Sequence, residues 1–224
     1  FINFGAVKSA YYLWVNGQFV GFTEDAKTNS DFDLTPFVKV GKNTLAMKVY
    51  RFSNGSYFEC QDFWRLSGIE RDVVLYSKPA LNICDYEVQA GLDENYENGT
   101  LSIDVKLQST GSKIKKNNRL MASISSRDSQ YALISSLNDI KFEKAEDGYY
   151  YAQITLTPDT DNPIGKVRPW SAEAPNLYQL DLSIWDRKDN LLEMLSSNIG
   201  FRTSEIKDGK LLINGQYVLI KGVN

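Results

Sequence analysis

The sequence predicts an all-β protein that contains two β-sandwich parts. Apolar and polar residues alternate in many short runs, as expected for strands that bury one face. Asn-Gly or Asp-Gly pairs at 16–17, 208–209 and 214–215 separate such runs. These pairs are a strong hairpin signal, because both central residues of the turn need a positive φ angle. No stretch shows the apolar period of an amphipathic helix, so we expect strands and turns throughout.

The first part is predicted to cover residues 1–79, and its strands are Phe1–Phe4, Ala10–Val15, Phe19–Phe22, Thr44–Tyr50 and Asp72–Tyr76. In the second of these strands, Leu13 and Val15 share one face, while Tyr12 and Trp14 share the other. We interpret Trp14 as a core residue and Asn16 as a turn residue. Ser77-Lys78-Pro79 marks the boundary of this part, because proline is disfavoured in a central strand.

The second part is predicted to cover residues 80–200 as an immunoglobulin-like sandwich. Its strands are expected at Leu81–Ala90, Leu101–Leu107, Leu120–Ile124, near Tyr131–Ile134, and at Tyr150–Leu156, Leu180–Ile184 and Leu191–Ile199. About seven short alternating strands within roughly 100 residues are typical of that fold. The Cys…Trp…Cys spacing of disulfide-linked antibody domains is absent from the sequence.

Residues 201–224 are predicted to form a hairpin that leads into a further domain. Asp208-Gly209 and Asn214-Gly215 separate the runs Thr203–Lys207, Leu211–Ile213 and Tyr217–Ile220. The last run is apolar enough for a sheet that is buried on both faces, as in α/β barrels. The chain also opens without Met on a strand already under way. We therefore expect it to be a piece of a larger protein.

Composition excludes several classes of function. The chain has no histidine, which removes Ser-His-Asp and Cys-His catalysis and the commonest transition-metal ligand. The net charge is −3 without a basic stripe, so nucleic acid is a poor partner. No apolar run approaches the roughly 20 residues of a membrane span. Cys60 and Cys84 cannot form a zinc site alone, and we interpret them as partly buried thiols rather than a disulfide.

The stretch from Ser53 to Gly68 is the strongest functional candidate. It is long for a connection between strands, and such connections are usually functional or disordered. It carries four aromatic residues and the charged residues Glu59, Asp62 and Arg65. Aromatic rings beside carboxylate and guanidinium groups suit a sugar, whose C–H face stacks on rings while its hydroxyls bond to acids. The alternative is a structural plug over the end of the sandwich.

These residues resemble the large bacterial β-galactosidases of glycoside hydrolase family 2. The resemblance lies in the run Gly55–Val73, in Leu13–Gly17 with Val20-Gly21, in Glu24-Asp25 with Asp31–Leu34, in Trp170–Tyr178, in Gly200–Arg202 and in Leu212–Asn224. It spans nearly the whole chain, apart from about Asp93 to Gly165. It implies a partial jelly-roll (galactose-binding-like) domain, then the immunoglobulin-like sandwich, and then the start of a (β/α)8 catalytic barrel that lies beyond Asn224.

The resemblance implies a substrate-binding role for Asp62 and a catalytic role for no residue of this chain. Family members hydrolyse β-galactosides with retention, using two glutamates that would lie beyond Asn224. Asp62 matches an aspartate that contacts the galactose 6-hydroxyl and a bound sodium ion, and a carboxylate is a suitable ligand for both. Magnesium is expected only in the barrel. The chain alone is expected to be inactive.

The remaining residues of the motif are expected to support the loop: Trp64, Arg65, Ser67 and Arg71. Two positions depart from the family pattern. Cys60 replaces an acid, which is expected to weaken cation affinity, and Glu70 replaces an aromatic or aliphatic residue, which is expected to alter contact with the barrel.

The expected partners are a β-galactoside substrate, the protein's own barrel and further copies of the protein in a homo-oligomer. Two alternatives remain open. The first is another family 2 glycosidase, such as a β-glucuronidase or a β-mannosidase, against which Gln61-Asp62 argues. The second is a stand-alone carbohydrate-binding module. The compartment stays open.

Overall fold

A computed structural model describes residues 1–59, 64–110, 118–126, 133–161 and 163–222, with only the backbone for 133 and 134. These residues form strands and one single-turn helix, which confirms the predicted all-β fold class. The chain divides into two compact units, Phe1–Lys78 and Pro79–Asn224. Cys60–Phe63 lie outside the described residues, so the predicted roles of Asp62 and Cys60 stay predictions.

The first unit contains eight strands and the helix, in the order β1 (Ile2–Phe4), β2 (Val7–Lys8), β3 (Ala10–Val15), β4 (Gln18–Thr23), β5 (Ser30–Phe32), β6 (Leu45–Tyr50), α1 (Ser56–Glu59), β7 (Gly68–Ile69) and β8 (Val73–Leu75). They form sheets with the strand orders β5-β1-β8, β4-β3-β6 and β2-β7. All pairs are antiparallel. The Asn16-Gly17 hairpin is confirmed, since both residues have positive φ angles, 51° and 80°.

A small apolar core lies within this unit. Phe4 and Ile2 of β1 pack in one cluster with Tyr11, Leu13 and Val15 of β3, and all five side chains are buried. The aromatic rings of Phe4 and Tyr11 meet edge to face at 5.2 Å between centroids. Burial of a phenylalanine ring such as that of Phe4 contributes roughly 1.5–3 kcal/mol relative to exposure, so this core stabilises the unit.

The opposite face of β3 corrects one sequence interpretation. Trp14 is half-buried rather than a core residue, because it lies on the side of the sheet away from Leu13 and Val15. Its ring stacks on Tyr12 at 5.9 Å and lies 6.0 Å from Phe19. Alternation shows which residues share a face, but both faces of this strand are apolar, so the pattern alone did not identify the buried one.

The second unit continues with β9 (Leu81–Leu92), β10 (Gly99–Ser109), β11 (Arg119–Ser126), β12 (Leu133–Ile140), β13 (Glu143–Lys144), β14 (Tyr150–Leu156), β15 (Tyr178–Trp185) and β16 (Leu191–Ile199). Two four-stranded antiparallel sheets form, with the orders β13-β14-β10-β9 and β12-β11-β15-β16. Immunoglobulin-like sandwiches place their first, second, fourth and fifth strands in one sheet and the remaining three in the other. Here β9, β10, β13 and β14 form the first of these sheets, and β11, β12, β15 and β16 give the second sheet four strands rather than three.

The core of the second unit comes from the inward positions of both sheets. Ile103 and Leu107 of β10, Leu120 of β11 and Ile184 of β15 are completely buried. The strict period of two in these strands places every second side chain in this layer, as the sequence predicted. Removal of several methylene groups from such a position typically costs 2–5 kcal/mol.

The turn between β9 and β10 is held by Asp93. Its carboxylate accepts hydrogen bonds from the Glu97 backbone N–H at 2.9 Å and from Asn98 Nδ2 at 2.6 Å. The Glu97 N–H bond, followed by the Asn98 side-chain bond, keeps the pKa of Asp93 below its ordinary value. The charged carboxylate therefore stabilises this turn.

The last strands of the unit are β17 (Ser204–Lys207), β18 (Lys210–Ile213) and β19 (Gln216–Tyr217), which form a meander. Both predicted turns are confirmed, since Asp208, Gly209, Asn214 and Gly215 all have positive φ angles. The predicted final strand was too long. It ends at Tyr217: the Val218 N–H still donates to the Leu211 carbonyl at 3.0 Å, but Leu219 and Ile220 are exposed and pair with no strand in the described part.

Candidate functional site

The candidate site is the connection between β6 and β7, defined here as the 53–68 segment. The structure describes its residues 53–59 and 64–68. Its first half contains the single helical turn α1. Asp62, the sequence-predicted sugar and sodium ligand, falls between the two described parts, so its role stays a prediction.

Serine hydroxyls hold the start of the segment. Ser9 Oγ, which is buried next to β3, donates to Ser53 Oγ at 2.9 Å. The Ser53 N–H in turn donates to Ser56 Oγ at 3.0 Å, and the Ser56 N–H donates to the Ser53 carbonyl at 3.1 Å. These reciprocal bonds resemble the capping interactions that satisfy orphan groups at helix starts, and they link α1 to the framework of the unit.

Residues 24–26 hold the middle of the segment. The Ala26 N–H donates to Glu59 Oε1 at 3.2 Å. Gly55 packs against the same residues, since a Cβ atom built on it would lie 2.9 Å from the Glu24 carbonyl oxygen. The second carboxylate oxygen of Glu59, Oε2, is buried and has no hydrogen-bond partner within the described residues. A buried acceptor without a partner requires an explanation, such as a bound water or cation.

A buried lysine holds the second half of the segment. Lys8 of β2 is only 3% exposed, and it is the one charged side chain among the buried residues that the structure describes. Its Nζ donates to the Trp64 carbonyl oxygen at 2.7 Å. Trp64 is the first described residue after Asp62, so this hydrogen bond fixes the backbone two positions beyond the predicted sugar ligand.

Backbone pairing and surface charges hold the end of the segment and the residues after it. Lys8 and Val7 pair with Gly68 and Ile69 across β2 and β7. The Glu70 N–H donates to the carbonyl of Ala6 at 3.0 Å. The side chain of Glu70, one of the departures from the family pattern, forms an ion pair with Lys27 at 2.5 Å. Arg71 Nη1 donates to the Lys27 carbonyl at 3.3 Å.

The large apolar side chains in the described part of the segment are exposed. Tyr57, Phe58 and Trp64 are 92%, 81% and 76% exposed, and Leu66 is 66% exposed. These rings do not fill the core of the unit, so the plug interpretation finds no support in the part of the segment that the structure describes. Clustered exposed apolar side chains commonly mark a contact surface.

The other predicted support residues are also at the surface. Arg65 and Ser67 are exposed. Of the four residues predicted to support the loop, Trp64 contributes through its backbone carbonyl and Arg71 through its guanidinium group. The sequence reasoning missed Lys8 and Glu59 as contacts of the segment. The available signal was a lysine inside the apolar run Ala6-Val7-Lys8-Ser9-Ala10.

The described residues contain no group of three or more Asp, Glu, Cys or His side chains that could bind a metal ion. Cys84 lies far along the chain, half-buried, with its Sγ donating to the Lys106 carbonyl at 3.4 Å. Within the described residues, no helix has the length and apolarity that a membrane crossing requires.

Comparison with protein families decides the family. Residues 1–79 match the profile described as "Glycosyl hydrolases family 2, sugar binding domain", and residues 81–202 match the profile described as "Glycosyl hydrolases family 2". The second match alone covers more than half of the chain. The chain belongs to glycosyl hydrolases family 2. Family 2 membership confirms the family resemblance of the sequence.

Curated family 2 relatives match the whole chain. A protein named β-galactosidase from Priestia megaterium is 38% identical over 224 residues, which are 100% of this chain and 21% of that relative. The chain thus spans about a fifth of the length of the curated relatives it matches.

Solved structures of other proteins share the fold. A family 2 member from Bacteroides cellulosilyticus has a TM-score of 0.82 at 18% identity, over 99% of this chain and 29% of that one. The β-glucuronidase 2 of Bacteroides uniformis has a TM-score of 0.77 at 23% identity, over 99% of this chain and 26% of that one. At this identity the similarity concerns the fold alone.

Proposed function

We propose that this chain is the non-catalytic β-sandwich region of a β-galactosidase that hydrolyses terminal β-D-galactosides with retention. The main support is the 38% identity to a protein named β-galactosidase over the whole length of this chain. The two catalytic glutamates of a retaining glycosidase would lie in a (β/α)8 barrel beyond residue 224, together with any magnesium site. The chain supplies a scaffold and one substrate-contacting loop.

Asp62 is the residue through which the loop contacts substrate. Its carboxylate would accept a hydrogen bond from the galactose 6-hydroxyl and bind a sodium ion, since carboxylate oxygens suit both. The anchored surroundings support this role, because Glu59 and Trp64 on either side of Asp62 are each held by a polar contact. Glu59 Oε2, which has no hydrogen-bond partner within the described residues, supports this role as a buried acceptor for a cation or water near the segment.

The exposed apolar residues of the 53–68 segment support a second role, which is contact with the barrel. Tyr57, Phe58 and Leu66 would otherwise remain in water. The contact would bury the apolar rings while the polypeptide around Asp62 reaches the substrate.

A substitution at Asp62 tests the proposal. In the longer enzyme, Asp62→Ala should lower kcat/KM for a β-galactoside by roughly 10- to 150-fold, the effect of losing a hydrogen bond to a charged group. Asp85→Ala, an exposed carboxylate in the second unit, is the control and should leave kcat/KM unchanged. An unchanged value for Asp62→Ala would refute the role of Asp62.

Two further measurements test the remaining parts. A panel of chromogenic galactosides, glucuronides and mannosides on the longer enzyme distinguishes β-galactosidase from the other family 2 activities. Turnover of a β-galactoside by this purified chain, in proportion to its concentration, would overturn its non-catalytic role. Saturable, sodium-dependent galactose binding by the chain alone, lost in Asp62→Ala, would instead indicate a carbohydrate-binding module.

A further inference from the structure

Asn-Gly pairs occur in this chain at 16–17, 54–55, 98–99 and 214–215. In such a pair the backbone nitrogen of glycine can attack the side-chain amide carbon of asparagine, because glycine carries no side chain that would obstruct the approach. The two groups must be free to meet. Hydrogen bonds of the asparagine side chain or of the glycine N–H therefore slow the reaction.

The asparagines of two hairpin turns are both bonded through their side chains. Asn16 Nδ2 donates to the Phe37 carbonyl at 2.9 Å, and Asn16 Oδ1 accepts the Thr44 N–H at 3.0 Å. Asn214 also forms two bonds, one from each of these side-chain atoms. The bonds must break before either side chain can turn toward its glycine. Two such bonds should lower the reactive fraction by roughly 5- to 150-fold.

The pair at 98–99 is restrained at both of its reacting groups. Asn98 Nδ2 donates to Asp93 Oδ2 at 2.6 Å, and the Gly99 N–H donates to the Gly165 carbonyl at 2.9 Å. A Cβ atom added at Gly99 would also meet the Ile164 side chain at 2.9 Å. The nitrogen that would attack is thus bonded and closely packed.

Asn54-Gly55, at the start of the 53–68 segment, differs from the other three pairs. Asn54 is exposed, and no hydrogen bond of its side chain or of the Gly55 N–H is found among the described residues. The Asn54 carbonyl accepts the Tyr57 N–H at 3.3 Å, which involves neither reacting group. Both groups are therefore available for the reaction in the folded chain.

We propose that Asn54 is a site of spontaneous deamidation. The Gly55 nitrogen forms a bond to Asn54 Cγ and loses its proton, while the Cγ–Nδ2 bond breaks and ammonia leaves. Water then opens the cyclic imide at one of its two carbonyl groups. The product carries either aspartate or isoaspartate at position 54, and in both cases a carboxylate replaces the neutral amide.

The isoaspartate product changes the start of the 53–68 segment. Its main chain passes through Cβ and Cγ and is one carbon longer than before. Ser53 and Ser56 exchange hydrogen bonds of 3.0 and 3.1 Å across residues 54 and 55. The longer main chain between them no longer matches this geometry, so we expect the turn to open when isoaspartate forms.

Peptide mapping by mass spectrometry tests the site on the chain itself. The folded chain and the chain in denaturant are incubated in mildly alkaline buffer, and deamidation of each Asn-Gly pair is followed over time. In denaturant the pairs should react at similar rates, because the reacting dipeptide is the same. Folding should slow Asn16, Asn98 and Asn214 by about fivefold or more, but Asn54 by less than about threefold.

The variant Asn54→Ser is the control, since it keeps a small polar residue in the turn and removes the reacting amide. It should abolish the mass change of the peptide that contains residue 54, and a change that persists would overturn the assignment to Asn54. Two results with the unaltered chain would also overturn the inference. One is slowing of Asn54 to the same degree as the other three asparagines, and the other is the absence of slowing at all four.

The effect on activity rests on the proposed function and is measured in the longer enzyme. The value of kcat/KM for a β-galactoside should fall in proportion to the isoaspartate content at residue 54, whereas Asn54→Ser should keep its own starting value during the same incubation. The peptide map requires no substrate, so the modification site can stand if the proposed function fails. Deamidation without a fall in kcat/KM would retain the site and refute a role of this turn in activity.

Discussion

Asn214 should contribute measurably to the attachment of the last strands of the second unit, beside the hydrogen bonds of Tyr96 with Glu205 and of Leu92 with Thr203. Its Nδ2 donates to the Trp170 carbonyl at 3.0 Å, and its Oδ1 accepts the Thr203 N–H at 3.0 Å. Asn214→Gly removes both bonds and keeps a residue that tolerates the φ angle of 50°. At roughly 0.5–1.5 kcal/mol for each hydrogen bond, the loss is about 1–3 kcal/mol.

Asp208 provides a matched control. It has a φ angle of 51° and is followed by a glycine, as Asn214 is, and it flanks the same strand, β18, at the other end. No side-chain hydrogen bond of Asp208 is found among the described residues. Asp208→Gly should therefore change the stability by less than about 0.5 kcal/mol.

Amide exchange of β18 reports both substitutions with the same probe. Asn214→Gly should accelerate exchange there by roughly 5- to 150-fold relative to the wild type. Exchange in β15, within the core of the unit, should stay constant in both variants. Equal effects of the two substitutions on β18 would refute the assignment, because they would show that turn conformation rather than side-chain bonding holds these strands.

Three further predictions concern other parts of the chain. Gly215→Ala should destabilise β18 more than Gly209→Ala by about 1–3 kcal/mol. The two glycines have similar φ angles, but only a Cβ atom added at Gly215 would meet a side chain, the Tyr96 ring at 2.7 Å. Equal amide exchange rates of β18 in the two variants would contradict this. We expect the chain to self-associate at high concentration through the edge strand β8, which pairs only with β1 among the described strands. Leu75 is 74% exposed on this strand, so Leu75→Lys should reduce the mass observed by light scattering. An unchanged mass would exclude β8 as the site of self-association. The Asp93 pKa is lowered in the folded state, so the contribution of this carboxylate to the stability of the turn is present above the unfolded pKa of about 3.9 and is lost as pH falls through the folded value. Asp93→Asn should therefore remove this acid dependence from amide exchange in the 93–98 turn. Persistence of the dependence would assign it to another group.

The position of Lys8 illustrates what sequence reasoning could not supply. It lies between two predicted strands, Phe1–Phe4 and Ala10–Val15, and a lysine in such a connection is normally solvated. Its burial and its bond to Trp64 depend on two segments that are 56 residues apart in sequence, and no local pattern encodes such a distance. The same reason explains why Glu59 was predicted only as a charged loop residue, although its carboxylate accepts the Ala26 N–H.

Trp14 shows a different limit. The alternation in Tyr12-Leu13-Trp14-Val15 separated the two faces of β3 correctly, but each face carries large apolar side chains. Only the packing of β1 against the Leu13 face makes that face the core, so Trp14 is half-buried on the other one.

The sequence by itself determined the features that arise from local physical chemistry. The period of two placed the strands and the core of the second unit, and the Asn-Gly and Asp-Gly pairs placed turns that require positive φ angles. The motif residues identified the family. The tertiary structure decided which strand faces are buried and which groups hold the 53–68 segment, because burial and long-range hydrogen bonds depend on segments that only folding brings together.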